Sequence, residues 1–216
     1  MVVSAVVFDL DGVLRRWDPR IVAEAESTHG LAPGALTAVA FEPDRLSAAV
    51  TGQLTDEQWR AGIVAVLAQR YGAQAAGAVA QWSAAVGEVD RAVLALVREQ
   101  RRRCRVVLLS NATTRLCLDL ARLGLQHELD EVFSSAELGV AKPDPRVFHE
   151  VCRRLGVDPP DCALVDDTPG HVLAAEEVGM VGHRYTSPDA LLRFLHGVRC
   201  SSPAAGRDGP AQLDQR

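Results

Sequence analysis

The chain has 216 residues, of which 48% are apolar, 24% are charged and 5% are aromatic, as in an ordinary soluble protein. This length allows one hydrophobic core, or one core with a small inserted domain. With 23 basic and 28 acidic residues, the net charge of −5 argues against a nucleic-acid partner.

The first predicted element is a buried strand. Residues 2–8 are almost continuously apolar and rich in β-branched side chains, which is typical of a strand covered on both faces of a parallel sheet. The run ends at the sequence Asp9-Leu10-Asp11-Gly12. It is too short to cross a bilayer and lacks the pattern of a signal peptide, so we expect no membrane partner.

A helical stretch follows. Helical patterns cover residues 21–29, 43–50, 56–71 and 75–86. Thr55 and Gln58 have the spacing of a capping box, which predicts a helix start. Because strand patterns are weak here, we predict an all-helical lid over residues 16–86. We interpret Trp59 and Trp82 as packing residues of the lid. Trp17, where the lid joins, is interpreted as a packing residue, with a place in the substrate pocket as the alternative.

Strands and helices then alternate. Predicted strands cover residues 105–109, 131–134, 162–165 and 181–185, and predicted helices cover 89–103, 113–123, 145–155, 168–179 and 191–195. Repeated strand–helix units predict an α/β fold, with a parallel sheet and helices on both of its faces. The end of the chain, residues 199–216, is rich in Pro and Gly, and we expect it to be disordered.

The five cysteines are odd in number, and none forms a C-x-x-C pair. They are Cys104, Cys117, Cys152, Cys162 and Cys200. This usage is typical of reduced thiols, so we expect a cytoplasmic protein with neither a disulfide framework nor a zinc site.

Three polar clusters stand directly after predicted strands. They are residues 9–12, Ser110-Asn111 and residues 166–168, and Lys142 lies in a loop between the last two. Ligands of open parallel sheets bind beyond the carboxyl ends of the strands, so we expect the clusters to converge at one edge.

The clusters would bring four carboxylates together: Asp9, Asp11, Asp166 and Asp167. Their mutual repulsion requires a cation, and an all-oxygen ligand set favours Mg²⁺. The Ser110 hydroxyl and the Lys142 ammonium suit the binding of phosphate. A carboxylate beside a metal can act as a nucleophile on phosphorus, and a second carboxyl can protonate the leaving alkoxide.

These residues carry a resemblance to a known family. The sequences F-D-L-D-G-V at 8–13, L-S-N at 109–111, K-P at 142–143 and V-D-D-T at 165–168 resemble the four motifs of the haloacid dehalogenase superfamily, in the family's order. Two further passages, F-E-P-D and G-Q-L-T-D-E-Q-W in the helical stretch, and the double Asp are similar to small bacterial sugar-phosphate phosphatases and the N-terminal phosphatase domain of soluble epoxide hydrolase.

The resemblance implies a discontinuous catalytic core and an inserted cap. The core would be a Rossmann-like parallel sheet formed by residues 1–15 and 87–198, and residues 16–86 would be the all-helical cap domain.

The resemblance also implies roles for single residues. Asp9 matches the nucleophile, whose carboxylate also binds Mg²⁺, and Asp11 matches the general acid and base, whose backbone carbonyl is on the metal. Ser110, with Asn111 beside it, and Lys142 match the phosphate-binding positions.

The fourth motif supplies the remaining metal positions. Asp167 matches the direct metal ligand, and Asp166 would support it from the second shell. His171 departs from the family pattern, because members often carry Asn or Asp at that position. Its imidazole can donate a hydrogen bond to the second shell, but the loss of a carboxylate would lower metal affinity.

The implied function is a Mg²⁺-dependent phosphatase that hydrolyses a small phosphorylated metabolite, such as a sugar phosphate, through an aspartyl-phosphate intermediate. A phosphomutase is an alternative, because the same core serves both reactions. A haloacid dehalogenase is a weaker alternative, because dehalogenases do not normally carry an acid at the position of Asp11. The last alternative is a binding protein that has no catalytic activity. The sequence predicts neither the substrate nor the oligomeric state.

Overall fold

The computed structural model describes residues 2–200, which form a sheet-and-helix core and a helical cap. The strands of these residues are β1 (Val2–Val3), β2 (Ala5–Phe8), β3 (Arg15–Arg16), β4 (Glu88–Val89), β5 (Arg105–Ser110), β6 (Glu131–Ser134), β7 (Cys162–Asp166), β8 (Val181–Arg184) and β9 (Arg199–Cys200). Five of them form the central sheet in the order β6-β5-β2-β7-β8, and every neighbouring pair is parallel. The predicted α/β fold is confirmed.

The helices alternate with these strands in the core and follow one another in the cap. They are α1 (Arg20–Thr28), α2 (Ala35–Ala40), α3 (Pro43–Val50), α4 (Asp56–Tyr71), α5 (Gln74–Ala84), α6 (Arg91–Arg101), α7 (Leu116–Leu123), α8 (Ser135–Leu138), α9 (Pro145–Leu155), α10 (Pro169–Glu177) and α11 (Pro188–Gly197). Among residues 2–200, none of them combines the length and the apolar character that crossing a bilayer requires.

The central strand β2 is buried on both faces. Val6 and Phe8 pack in one apolar cluster with residues of α6 and α11, whereas Ala5 and Val7 pack in a second cluster with residues of α9 and α10. This arrangement explains the continuous apolar run in the sequence. Phe8 lies in register with both Leu108 and Val165, so the three strands end at the same edge of the sheet.

The cap has its own apolar core, which includes Trp59, Ile63 and Leu67 of α4. Its helix α4 begins with the predicted capping box, in which Thr55 and Gln58 exchange hydrogen bonds. The cap joins the core through β3 and β4, an antiparallel pair that the sequence analysis did not predict. Helix α2 was also not predicted, because Pro33-Gly34 at its start is typical of a loop.

The two ends of the described chain lie together. Val2 and Val3 form a parallel pair with Arg199 and Cys200, apart from the central sheet. The predicted first strand is therefore two strands, and the expectation of disorder is wrong for residues 199 and 200. The remainder of the predicted tail, residues 201–216, lies outside the described residues.

The pairing at the chain ends includes a disulfide between Cys104 and Cys200, whose Cα atoms are 5.4 Å apart. The expectation of five reduced thiols is wrong for this pair, whereas Cys117, Cys152 and Cys162 are free. Disulfides are rare in the cytosol, so this bond removes part of the support for the expected cytoplasmic location.

Candidate active site

The predicted polar residues converge where the central strands end. A cavity of about 310 Å³ is lined by Asp9, Asp11, Gly12, Ser110, Asn111, Lys142, Asp167, Thr168 and His171. The backbone N–H of Asp9 donates to the Val165 carbonyl at 2.9 Å, which fixes Asp9 directly beyond β2. The convergence expected of distant segments is therefore observed.

Lys142 lies buried at the centre of this cluster. Its ammonium nitrogen is 2.9 Å from Oδ1 of Asp9 and 2.6 Å from Oδ2 of Asp166, and it donates to the Leu109 carbonyl at 3.0 Å. Because an ammonium group has three donors, these three acceptors fix its position. The positive charge therefore lies beside the predicted nucleophile.

Asp9 is buried, and its burial raises its pKa to about 6. The ammonium of Lys142 opposes this rise in pKa, and the neighbouring carboxylate of Asp166 adds to it. A further cation beside Asp9 would lower its pKa and keep it ionised, as a nucleophile requires.

Asp166 is completely buried and has polar partners on several sides. It accepts hydrogen bonds from Lys142 and from the backbone N–H of Thr168, and Nδ1 of His171 is 3.1 Å from its Oδ1. Burial acts to raise the pKa of Asp166, but His171 and Lys142 outweigh it and hold the pKa below its ordinary value. His171 thus contacts the carboxylate that we predicted to support the metal ligand.

The donors near Asp9 suit a hard divalent cation. Asp9, Asp166 and Asp167 each offer a carboxylate oxygen, and the three oxygens lie within 4.8 Å of one another. Asp166 already has Lys142 and His171 as partners, so Asp9 and Asp167 are the carboxylates with ligand capacity to spare. Oxygen donors of this kind, with room for water and a phosphate, fit Mg²⁺.

Gly12 makes room for Asp167. Its φ of +81° is a left-handed conformation, and a Cβ added to it would overlap the carboxylate of Asp167. A glycine is therefore required here for two reasons, the backbone angle and the close approach of the side chain.

Ser110, the last residue of β5, and Asn111, which follows it, have different contacts. The hydroxyl of Ser110 is buried and has no hydrogen-bond partner within the described chain, so it is available to a ligand in the cavity. Asn111 instead accepts from the backbone N–H of Lys142 at 2.8 Å and donates to its carbonyl at 2.7 Å. The side-chain amide of Asn111 thus holds the loop of Lys142, and the phosphate contact predicted for Asn111 stays a prediction.

Asp11 contacts two residues that the sequence analysis did not include among the site residues. Arg15 donates to its Oδ1 from Nε at 2.7 Å and to its Oδ2 from Nη2 at 2.8 Å, and Trp17 donates from Nε1 at 2.6 Å. Arg15 is itself buried and also donates to Asp119 at 3.1 Å. Trp17 is 43% exposed, so the interpretation of Trp17 as a packing residue is wrong.

A second cavity, of about 500 Å³, opens beyond Asp11 between the core and the cap. Polar contacts join the core and the cap, and several of the residues that make them line this cavity. Asp56 of the cap accepts from the Thr113 hydroxyl at 2.8 Å, and its backbone N–H donates to the Thr114 hydroxyl at 2.9 Å. Arg115 of the core donates to the Ser83 carbonyl of the cap at 2.7 Å.

Comparison with known proteins gives a consistent result. A family model described as haloacid dehalogenase-like hydrolase matches residues 3–179. Flavin mononucleotide hydrolase 1 of Arabidopsis thaliana is 39% identical over 84 residues, which are 38% of this chain and 34% of that protein. Glyceraldehyde 3-phosphate phosphatase of Methanopyrus kandleri is 44% identical over 63 residues, which are 29% of this chain and 27% of that protein. The chain thus covers about a third or less of each of these relatives.

A solved structure matches over a longer range. It is a family enzyme of Bacteroides thetaiotaomicron in complex with magnesium and inorganic phosphate, with a TM-score of 0.70 and 21% sequence identity. The match covers 85% of this chain and 94% of that one. At this identity the likeness shows a shared fold.

Proposed function

This chain belongs to the haloacid dehalogenase-like hydrolase family, and we propose that it is a Mg²⁺-dependent phosphatase of a small phosphorylated metabolite, with Asp9 as the nucleophile. One observation carries the proposal: the carboxylate of Asp9 lies beside the buried ammonium of Lys142, in the same cavity as Asp167 and the unpartnered hydroxyl of Ser110. The residues that we assign as nucleophile, as metal ligand and as hydrogen-bond donor to the phosphate thus lie next to one another and to a buried cation.

In the first step, a carboxylate oxygen of Asp9 attacks phosphorus and the bond from phosphorus to the alcohol oxygen breaks. Asp11 gives its proton to the departing alkoxide. Ser110 and Lys142 stabilise the phosphoryl oxygens, one as a hydrogen-bond donor and the other as a point charge. The products of this step are the free alcohol and a phosphoryl group on Asp9.

In the second step, Asp11 acts as a base because it has lost its proton. It takes a proton from a water molecule, whose oxygen attacks phosphorus. The bond from phosphorus to Asp9 breaks, inorganic phosphate leaves, and both carboxyl groups return to their starting states. Asn111 keeps Lys142 in place throughout through its two hydrogen bonds to the backbone.

Asp9 and Asp167, with the backbone carbonyl of Asp11, are the residues that we assign to Mg²⁺. The ion would supply positive charge to the phosphoryl oxygens and to Asp9. Asp166 contacts Lys142 and His171, so we assign it the role of a positioning residue for the metal ligands and for Lys142.

Hydrolysis of phosphate esters is favoured over the chemistry of haloalkanoic acids. The presence of Asp11 in the cavity supports protonation of an alkoxide, which a halide leaving group does not need. The names of the two relatives, a flavin mononucleotide hydrolase and a glyceraldehyde 3-phosphate phosphatase, agree with a small phosphorylated substrate.

The test is a phosphate-release assay with the purified chain and a generic aryl phosphate. We expect inorganic phosphate to appear with Mg²⁺ and to stop when EDTA is added. Asp9→Asn should abolish release and keep the far-ultraviolet circular dichroism spectrum, whereas Asp189→Asn, at an exposed position on α11, should be unaffected. Full activity in Asp9→Asn would refute the assignment. A phosphomutase would instead move the phosphoryl group within a sugar and release little phosphate.

A further inference from the structure

We propose that the alcohol part of the substrate is a flat, largely apolar aromatic group, and that it occupies the 500 Å³ cavity between core and cap. This inference rests on the proposed phosphatase function. The sequence analysis gave a sugar phosphate as the example of a substrate. The side chains that line this cavity favour the phosphate ester of an aromatic alcohol instead.

The position of the cavity connects it to the chemistry. Asp11 and Asn111 line both this cavity and the smaller one that contains Asp9. A phosphate held beside Asp9 would therefore place its alcohol in the larger cavity, next to the acid that protonates it. A volume of about 500 Å³ lies within the range of small-molecule sites, about 300–1,000 Å³.

The wall of the cavity is rich in aromatic rings. Trp17 and Phe41 line it and are 43% and 48% exposed, which is unusual for side chains of this size. Trp82 and Trp59 also line the cavity, and Trp82 packs edge-to-face with Phe41 at 6.3 Å and with Trp59 at 5.6 Å between ring centroids. Together these exposed and partly buried rings form a surface that a planar apolar ligand would cover.

The charged side chains of the cavity already have partners on the protein. Asp56 is paired with Arg60 and bonded to Thr113. Asp119 accepts from both Arg15 and Arg115. A sugar, which presents hydroxyls on every side, would have to compete with these bonds. An apolar ring would leave them intact and would gain from the removal of apolar surface from water.

Two residues that line the cavity each have a buried donor without a partner in the described part of the chain. Nε1 of Trp59 and Nη2 of Arg115 are buried and have no hydrogen-bond partner within residues 2–200. Trp59 is only 5% exposed. Because an unpaired buried donor is unfavourable, a ligand acceptor that reaches either of them would bind more tightly. We therefore expect the aromatic group to carry an acceptor at its edge, such as a carbonyl oxygen or a ring nitrogen.

Binding can be measured without catalysis. The chain has three tryptophans, and all of them line this cavity, so its intrinsic fluorescence reports on a bound ring. We expect 2-naphthylmethanol to quench the fluorescence saturably in Asp9→Asn. Phe41→Ala in that background should weaken binding about five-fold, in line with the loss of a ring contact. Val66→Ala, an exposed cap position outside the cavity lining, is the matched control and should change nothing.

Catalysis gives the second readout. The esters to compare are 2-naphthylmethyl phosphate and glycerol 1-phosphate, both of primary alcohols, so their leaving groups need similar protonation. We expect kcat/KM to favour the naphthyl ester by at least ten-fold.

The predicted acceptor is tested by the binding of quinolinylmethanols, which carry the ring nitrogen at different edges. At least one should bind more tightly than 2-naphthylmethanol, and Trp59→Phe or Arg115→Met should remove that gain.

The outcomes separate this inference from the proposed function. Phosphate release with a preference for glycerol or sugar phosphates, and no saturable quenching, would overturn the aromatic assignment and leave the phosphatase intact. Saturable quenching without phosphate release from any ester would refute the phosphatase and retain an aromatic ligand site. If no quinolinylmethanol binds more tightly than 2-naphthylmethanol, the proposed acceptor at the edge of the ring is wrong.

Discussion

Arg15 holds the carboxylate of Asp11 with two parallel hydrogen bonds, of 2.7 and 2.8 Å, from a buried position four residues along the chain. A second carboxylate, that of Asp119, holds Arg15 from the side of α7. A planar guanidinium restricts both the position and the tilt of the group that it binds, which a single ammonium cannot do. We therefore expect Arg15 to position Asp11, which as the general acid would carry its proton on one oxygen and keep a hydrogen bond from Arg15 on the other.

Arg15→Lys tests this role. The variant keeps the positive charge and loses the paired hydrogen bonds, so protonation of the leaving alkoxide should become inefficient. We expect kcat/KM for an alkyl phosphate to fall by roughly ten-fold or more, within the range of general acid catalysis. For p-nitrophenyl phosphate kcat/KM should change little, because nitrophenolate leaves without a proton. Equal losses for both esters would indicate a merely structural role. Arg98→Lys, in an exposed ion pair with Glu128, is the control.

Gly12→Ala tests the metal site through its packing. The added methyl would overlap the carboxylate of Asp167 and displace it, so we expect Mg²⁺ affinity to fall by about ten-fold or more. Gly124→Ala is a matched control, because Gly124 also has a positive φ, +69°, but has open space where its Cβ would be. Both variants should lose about 1–2 kcal/mol of folding free energy from backbone strain. Only Gly12→Ala should lose metal affinity in calorimetric titration, and unchanged affinity would contradict the assignment of Asp167.

The binding of Mg²⁺ should depend on pH. In the metal-free protein, burial raises the pKa of Asp9 to about 6, with Lys142 and Asp166 as its charged neighbours. Below that pKa the carboxyl group is protonated, and the metal must displace the proton. We expect affinity to weaken as the pH falls from about 7 to about 5, and binding to release protons in that range. Calorimetry in buffers of different ionisation enthalpy measures both, and constant affinity would contradict the assignment of Asp9 as a ligand.

Lys142→Met should destabilise the fold. The ammonium is paired with Asp9 and with the fully buried Asp166, and its removal leaves two carboxylates without this partner. Loss of one partner of a buried ion pair costs about 3–5 kcal/mol, so we expect a loss of that order in urea unfolding. Arg146→Met, at an exposed pair with Asp144, should cost far less, because water already solvates both charges. A loss no larger than that of the control would show that Lys142 is not needed to compensate these carboxylates.

The sequence predicts some elements well because local chemistry fixes their ends. Helix α3 begins at Pro43 and helix α9 at Pro145, and Gly156 ends α9 with a positive φ, so the predicted bounds of both helices agree with the structure. The convergence at the sheet edge is predictable for a different reason. Parallel strands end together, so Asp9 and Asp166 must lie at the same edge as Ser110.

Other features depend on partners that are distant in the sequence. The pairs β3–β4 and β1–β9 are each two residues long, and each joins segments far apart along the chain. Nothing in a dipeptide indicates such a partner. Arg15 likewise looks like an ordinary basic residue after the first motif, and its role depends on Asp119, which reaches it from α7. The contact between the side-chain amide of Asn111 and the backbone of Lys142 was not predictable either, because the two residues are 31 positions apart.

The covalent intermediate is the most direct test of the proposed chemistry. During turnover of an aryl phosphate with Mg²⁺, acid quenching followed by peptide mass spectrometry should find one phosphoryl group on the peptide that contains Asp9. Asp11→Asn should increase its amount, because the base for the second step is missing. Phosphate release with no phosphoryl group on Asp9 in either protein, or with the group on another residue, would contradict Asp9 as the nucleophile.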